Sequence, residues 1–443
     1  VTKWGVALTT AALIAGACGS SGAKSSPTTT GGGTSATTAA SGGGSNTASA
    51  PGVTPTTVKI GYITSETGVS SSGFSDGFGA AEARIDVINA AGGINGRKIQ
   101  LVAEDDQSSP TGDAAAAQLL VSKGVFGVID YSAFTFGGAP VLQKAGVPVT
   151  GYEFDGPEWG EQPYSNMFSF QPTDTTPYGG KLYYYDNSGK FLDEIGGTKQ
   201  AGFAYGISPS SQASIKVLAA GNAQYGGTSC IQNLSVPFGG VDFTADVLQI
   251  KQDGCNAIAG SFVDSSDEAM ATALQQAGLQ NSVKELYFTG YDSNSLASTA
   301  IKSAFNGAYF ESTLLYDGSN PAVTKMLANL AQYDPGFKTG ELPDFGTWGS
   351  YVAADLMVQG LELAGQNPTR ASFETNLRNY TSYNAGGILP SIVPFGANGT
   401  FGTVAMLPQQ VCTNFAELKN GVFVNGDPGG QPVCAGYASF PAS

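Results

Sequence analysis

Histidine is absent from all 443 residues of this chain. Without an imidazole there is no Ser-His-Asp or Cys-His nucleophilic centre, no histidine-ligated zinc or iron, and no side chain that ordinarily titrates near neutral pH. Charge is scarce too: 12% of residues are charged, and 20 Lys and Arg against 35 Asp and Glu leave a net charge of -15. A nucleic-acid footprint needs clustered basic side chains, so no nucleic-acid partner is expected. The five cysteines form neither CxxC nor zinc-knuckle spacings, which excludes a thiol redox motif and a cysteine-ligated metal. No GxxxxGK[ST] phosphate loop occurs, so any ATP chemistry must reside on other chains. Carboxylate, Lys, Tyr and backbone chemistry remain. Glu153 and Asp155 stand one residue apart in an irregular stretch, which does not fix a productive acid–base pair. Glu104, Asp105 and Asp106 lack the twelve-residue loop that calcium requires. No enzymatic activity, metal or cofactor is expected.

The N-terminus reads as a targeting segment. Lys3 precedes an apolar run from Trp4 to Ala15, too short to span ~30 Å of hydrocarbon, and small residues Ala15, Gly16 and Ala17 lead to Cys18. The string ALIAGAC resembles a bacterial lipoprotein lipobox, with Leu13 one or two places farther from the cysteine than usual. Cys18 is the expected lipidation site; an ordinary secretory peptide is the alternative. Residues 19–57 are almost only Gly, Ser, Thr, Ala, Pro and Asn. They hold too little apolar surface to offset ~1 to 2 kcal/mol of chain entropy per residue, so a disordered tether is expected. No later run of 18 apolar residues follows. Four cysteines remain beyond the leader, an even number that favours disulfides in an exported chain. Of three possible pairings the expected one is local, Cys230 with Cys255 and Cys412 with Cys434.

From Val58 the pattern alternates. VKIGYI reads as a buried strand; Phe74, Phe78, Ala81, Ile85 and Ile88 then recur at helical spacing, and NAAGGING supplies the stop. Strands at 98–103, 125–130 and 147–150 alternate with helices at 112–122 and 136–144, a βαβ order that demands parallel strands covered by helices. A second alternation runs from Gln200 to Thr289, with Pro209 after Ser208 opening its first helix. A strand at 307–313 and helices at 322–332, 347–364 and 370–379 follow. The end of the chain carries Asn398-Gly399, Asn420-Gly421 and Asp427-Pro428-Gly429 turns and reads as hairpins.

VKIGYITSETG, INAAGGINGRKIQLVAEDDQSSP, VSKGVFGVIDYS and AGVPV, in that order, with Asp242-Phe243-Thr244 and Trp348-Gly349-Ser350-Tyr351 later, closely resemble the type I periplasmic solute-binding proteins of the leucine/isoleucine/valine-binding kind. The resemblance covers most of Val58 to about Gly402. It implies a two-lobed α/β fold, each lobe a mostly parallel sheet between helices, with a ligand cleft between lobes that closes on a solute. It also implies three crossovers: residues 1–17 a signal peptide, 18–57 lipidated cysteine and tether, 58–177 with 308–387 the first lobe, and 178–307 with 388–443 the second, ending in the hairpins. The implied partners are a small-molecule solute and the membrane permease of an ATP-driven importer. Membrane association would run through the N-terminal lipid, with the protein a monomer in the periplasm or on the outer face of the bacterial cytoplasmic membrane. A ligand-sensing receptor subunit is the rival role.

The resemblance also implies where the cleft is lined. Ser72 and Phe74 lie in the first loop, and Tyr131, Ser132 and Thr135 follow the third strand, where amino-acid binders clasp a carboxylate with a serine. After the fourth strand those binders carry small hydroxyl residues, whereas this chain has Tyr152, Glu153 and Phe154. That departure points to a bulkier solute, aromatic, heterocyclic or cationic, with a branched-chain or other amino acid as the alternative. Across the cleft Phe262 matches an aromatic wall, Tyr291 neighbours it, and Asp292 matches the acidic partner of a ligand ammonium. Trp348 and Tyr351 match a segment bordering the cleft.

Overall fold

The structure, a computed structural model, describes residues 45–152, 157–160, 163–171, 176–178, 181–393, 395 and 410–441. Its first sheet begins with β1 (Thr57–Thr64), whose alternate and then continuous burial matches VKIGYI. α1 (Ser71–Phe74) and α2 (Gly77–Ala90) follow, separated by Ser75 and Asp76, so the expected single stripe is split. Phe74, Ala81 and Ile85 are nevertheless buried. Then come β2 (Lys98–Asp105), α3 (Pro110–Ser122), β3 (Gly127–Asp130), α4 (Thr135–Lys144), β4 (Val149–Gly151) and β5 (Met167–Ser169). All five strands are parallel in the order β2-β1-β3-β4-β5. Ser109 caps α3 by accepting from Gly112 N at 3.0 Å, with Pro110 in the first turn where its missing N–H costs nothing.

β6 (Thr176–Tyr178) and β7 (Lys181–Tyr185) precede α5 (Asn187–Glu194). The second sheet is built from β8 (Lys199–Tyr205), α6 (Pro209–Gln224), β9 (Thr228–Val236), α7 (Thr244–Asp253), β10 (Ala257–Ser261), α8 (Asp264–Gln276), β11 (Lys284–Tyr287), α9 (Thr299–Ala304) and β12 (Tyr309–Ser312). The chain returns to the first lobe through α10 (Pro321–Tyr333), α11 (Phe345–Ala364) and α12 (Arg370–Arg378), whose apolar faces join the core of β1 and α2. It ends in β13 (Val411–Lys419), β14 (Val422–Asn425), β15 (Val433–Ala435) and β16 (Tyr437–Pro441). The second sheet runs β14-β13-β12-β11-β10-β8-β9, with β15 also on β13, and is antiparallel only where β13 joins β12, β14 and β15. β16, β7 and β6 form a separate antiparallel sheet. Asn420 and Gly421, at φ 54° and 79°, make the tight turn between β13 and β14, a conformation that asparagine and glycine tolerate best. Asn398-Gly399 lies outside the described residues.

Both local disulfides are present: Cys230–Cys255 with Cα atoms 6.2 Å apart, and Cys412–Cys434 at 4.0 Å across paired β13 and β15.

Three expected boundaries move. β12 pairs with β11 in parallel, so residues 309–312 belong to the second sheet and not to the first lobe. It pairs there on both edges, with β11 on one side and β13 on the other. Ile388, Leu389, Val393 and Phe395 are buried in the core of the first lobe, not the second, with Tyr383 bridging to Val393. Residues 45–57 are an ordered strap rather than tether. Asn46 donates to Pro55 O and Asn95 O, Thr47 N donates to Asn367 Oδ1 at 2.9 Å, and Ser49 donates to Pro368 O at 2.7 Å. The anchor is Arg97, only 1% exposed, which donates from Nε to Thr54 O at 2.7 Å, from Nη2 to Thr47 O and Asn367 Oδ1, and from Nη1 to Gln366 O. Counting apolar surface missed this because hydrogen bonds to one buried cation hold the strap. Arg97→Lys keeps the charge but loses the planar fork, so it should cost about 1 to 3 kcal/mol in urea unfolding and open residues 45–57 to limited proteolysis. Wild-type stability and protection in the variant would remove Arg97 as the anchor.

Candidate functional site

Parallel strands carry their loops at their carboxyl ends, and in both sheets those ends open on one cavity of about 130 Å³. From the first lobe it is lined by Phe74 at the end of α1, Ala133 after β3, Tyr152 after β4, and Pro343, Phe345 and Trp348 at the start of α11. From the second come Tyr205 at the end of β8, Ser208, Ser210, Ser211 and Ser214 at the start of α6, Phe238, and Phe262 and Val263 after β10. Phe288 to Asp292 follow β11, and Glu311, Ser312, Thr313 and Tyr316 complete the wall at the end of β12.

The aromatic walls are braced from behind. Phe345 packs edge-on against Trp348 at 5.8 Å and Phe74 at 5.8 Å, while Tyr152 stacks on Phe170 at 5.2 Å. Opposite, Tyr205 contacts Phe238 at 4.6 Å and Phe262 at 5.0 Å, and Tyr291 stacks on Tyr316 at 5.0 Å. The Tyr205 hydroxyl is fixed by donating to Ser266 Oγ at 2.7 Å and accepting from Val263 N at 3.1 Å. The serines of α6 serve the backbone: Ser208 accepts from Ser211 N at 3.2 Å, and Ser211 Oγ donates to Ser261 O at 2.7 Å.

The two lobes touch across the cleft, as in a closed form. Asn294 Nδ2 donates to Ser72 O at 3.2 Å, Ser293 N donates to Leu342 O at 3.2 Å, and Leu342 N donates to Ser293 Oγ at 2.9 Å. Phe134 meets Phe238 edge-on at 5.0 Å.

Carboxylates crowd this seam. Asp292 accepts from Asn294 N at 2.8 Å and Ser295 N at 3.2 Å through Oδ1, while its Oδ2 has no hydrogen-bond partner. Burial, reinforced by Asp264 and Asp344, holds its carboxyl well above the usual range. Asp344 caps α11 by accepting from Thr347 N at 2.7 Å, and burial lifts it to about 7. Burial lifts Asp264 to about 6, and Asp267, which accepts from Thr289 Oγ1 at 2.8 Å, is raised well above its usual value for the same reason. Glu311, held by the Ser188 hydroxyl, is pushed by burial to about 7. Among the described residues no three histidine, cysteine or carboxylate side chains are grouped to hold a metal ion.

Six of the expected residues line the cavity: Phe74, Tyr152, Phe262, Tyr291, Asp292 and Trp348. Five do not. Ser72 is exposed and offers only its carbonyl, to Asn294. Tyr131 is fully buried beneath the wall, between Phe170 at 6.1 Å and Phe345 at 5.6 Å. Ser132 donates to Asp106 and accepts from Phe134 N at 3.0 Å, so its hydroxyl is committed to the loop and not to a ligand carboxylate. Thr135 donates to Glu158 at 3.0 Å and accepts from Trp159 Nε1 at 3.1 Å. Tyr351 packs into the first-lobe core with its hydroxyl accepting from Asn329. Glu153 lies outside the described residues. Sequence reading missed Tyr205, Phe238, Glu311, Tyr316 and Phe345. All but Phe238 and Phe345 stand at or just past the end of a second-lobe strand, which is the signal that could have found them.

The model of the periplasmic binding protein family matches residues 57–421, and the chain belongs to that family. It is 26% identical over 294 residues to the Leu/Ile/Val-binding protein homolog 1 of Brucella melitensis, covering 65% of this chain and 73% of the relative. Among solved structures, the fatty acid ABC transporter substrate-binding protein from Thermomonospora curvata aligns at TM-score 0.66 and 16% identity, over 89% of this chain and 95% of its own. An R. palustris ABC transporter solute-binding protein in complex with benzoate aligns at 0.67 and 15%, over 86% and 98%. At such identities the two structures share the fold with this chain.

Proposed function

We propose that this chain is the extracytoplasmic solute-binding component of an ATP-driven importer, which captures a small solute by closing its two lobes and delivers it to a membrane permease. The observation that carries this reading is the cavity itself, walled by both lobes and closed by hydrogen bonds that cross between them. Family membership supports it. The mechanism makes and breaks no covalent bond. Solute would enter between the open lobes, rest on Tyr152, Phe345 and Trp348, and draw the second lobe down until Phe262 and Tyr291 exclude water. Rings burying ~150 to 250 Å² each would dominate the affinity, which favours a solute bulkier than a branched-chain amino acid and with an aromatic or extended apolar body.

A thermal-shift panel of amino acids, aromatic acids, aromatic amines and heterocycles, followed by calorimetry, tests this, because a solute that binds only the folded form raises its apparent stability. At least one aromatic solute should bind, and Tyr152→Ala should weaken it by at least ~1 kcal/mol. Tight leucine, isoleucine or valine binding would overturn the choice of solute, and no binding by any class would overturn the importer reading.

The anchor belongs to the same proposal. Cys18 lies outside the described residues, and the ALIAGAC string supports its lipidation. Cells fed a palmitate analogue should label the wild type and leave Cys18→Ala unlabelled; equal labelling of both would remove the anchor.

A further inference from the structure

Resting on the solute-binding reading, we propose that the cleft selects solutes carrying a protonated nitrogen on an aromatic body, and that Glu311 is the residue that pairs with that charge. Among the described residues the cavity lining contains two carboxylates, Asp292 and Glu311, and neither a lysine nor an arginine. An anionic solute would therefore meet no basic side chain among the described lining residues. The Ser208 and Ser211 hydroxyls at the start of α6 are already engaged with backbone groups, and the Ser210 hydroxyl with that of Ser208.

Glu311 reaches this position through the alternation of β12. Phe310 turns into the core against Phe305 and Tyr287, so Tyr309 and Glu311 turn to the opposite face, where Tyr309 meets Phe191 of α5 and Glu311 meets Ser188 of the same helix. As the next-to-last residue of β12, it stands where the strand opens into the cavity. The Ser188 hydroxyl is its hydrogen-bond donor, and none of the ion pairs among the described residues includes it. A carboxylate desolvated without a counter-ion is costly to fold, and an apolar residue there would cost less. A cation brought by the solute supplies the missing partner, and the aromatic body that carries it suits the aromatic lining of the cavity. Asp292 is a poorer candidate because its Oδ1 already accepts from Asn294 N and Ser295 N, and burial, reinforced by Asp264 and Asp344, raises its carboxyl well above the usual range. Glu311 is held near neutrality by burial alone and can ionise when a cation arrives.

Matched probes that differ only in charge decide the matter: benzylamine, benzyl alcohol and benzoate, titrated calorimetrically into the purified chain. Benzylamine should bind about tenfold or more tighter than either of the others, as a charge-assisted contact implies. Glu311→Gln should cost benzylamine about tenfold while leaving benzyl alcohol within about twofold. In wild type, lowering the pH from about 8 to about 6 should weaken benzylamine, which stays protonated throughout, and leave benzyl alcohol unchanged. Asp264 and Asp344 titrate at the seam over the same range but do not line the cavity, and Glu311→Gln should flatten the profile. The wild-type profile itself needs no variant, so the proposal remains testable should Glu311→Gln fold poorly. Equal or tighter binding of benzoate or benzyl alcohol, a Glu311→Gln variant that still prefers benzylamine, or no binding by any of the three overturns the proposal. The importer reading is judged separately, by the broader solute panel.

Discussion

The protein is expected to be more stable at about pH 5 than at about pH 8, by several kcal/mol. The seam between the lobes gathers Asp264 and Asp267 from α8, Asp292 from the loop after β11, and Asp344 at the head of α11, with Asp76 and Tyr316 nearby. Each of the four is at most 7% exposed, and none takes part in an ion pair among the described residues. Burial raises every one of these carboxyls, so the folded state holds protons that the unfolded chain has released. The stabilisation is therefore fully present below the unfolded value near 4 and is lost as pH rises through the folded values of about 6 for Asp264 and about 7 for Asp344. At about 1.4 kcal/mol per unit, Asp344 alone, ionising at about 7, corresponds to about 3 kcal/mol between pH 5 and pH 8. Asp344→Asn isolates the effect, since asparagine caps a helix as well as aspartate does. The variant should exceed wild type at about pH 8 by at least ~1 kcal/mol and show a shallower fall between pH 5 and 8 in urea unfolding. Parallel pH profiles for the two proteins would show that the seam is not the source.

Gly349→Ala should destabilise the protein by about 2 to 3 kcal/mol, although helix propensity alone argues for a gain of about 1. Gly349 lies inside α11 where an added Cβ would fall within the Tyr131 ring. That ring is fully buried and has nowhere to retreat, with Phe170 stacked on one side and Phe74 and Phe345 on the other. Overpacking therefore outweighs propensity. Moving Tyr131 would also displace Phe345, so affinity for any aromatic solute should fall with stability. Tyr131→Ala costs stability by leaving a cavity, yet adding Gly349→Ala to it should cost little more, a strong coupling between the two sites. Additive losses in the double mutant, or a fully stable Gly349→Ala, would contradict this packing.

Half of the site was legible in the sequence, and the reason is local. Phe262, Tyr291 and Asp292 each follow a strand whose end the apolar pattern marks, so their place at a carboxyl end could be read off directly. Glu311 and Ser312 end a strand too, but placing β12 in the first lobe removed them from consideration. Phe238 sits in the loop after β9, which no spacing identifies as a wall. Ser132 and Thr135 were carried over from the family's carboxylate clasp, and their hydroxyls turned out to serve Asp106 and Glu158.

The amino-acid order by itself determined the alternation of strands and helices, the stops between them, the cysteine pairing by neighbourhood and the shortage of basic side chains, because each depends on residues close in the chain or on counts. Which sheet receives β12, where the strap 45–57 is tied, and which aromatic rings face solute were decided only by tertiary structure. Tyr131 and Tyr152, or Trp348 and Tyr351, bury similar apolar surface whether they fill a core or wall a cleft. The choice within each pair comes from distant partners, Gly349 and Phe170 beneath Tyr131 and Asn329 beside Tyr351, which the packing of α11 against the first sheet brings into place.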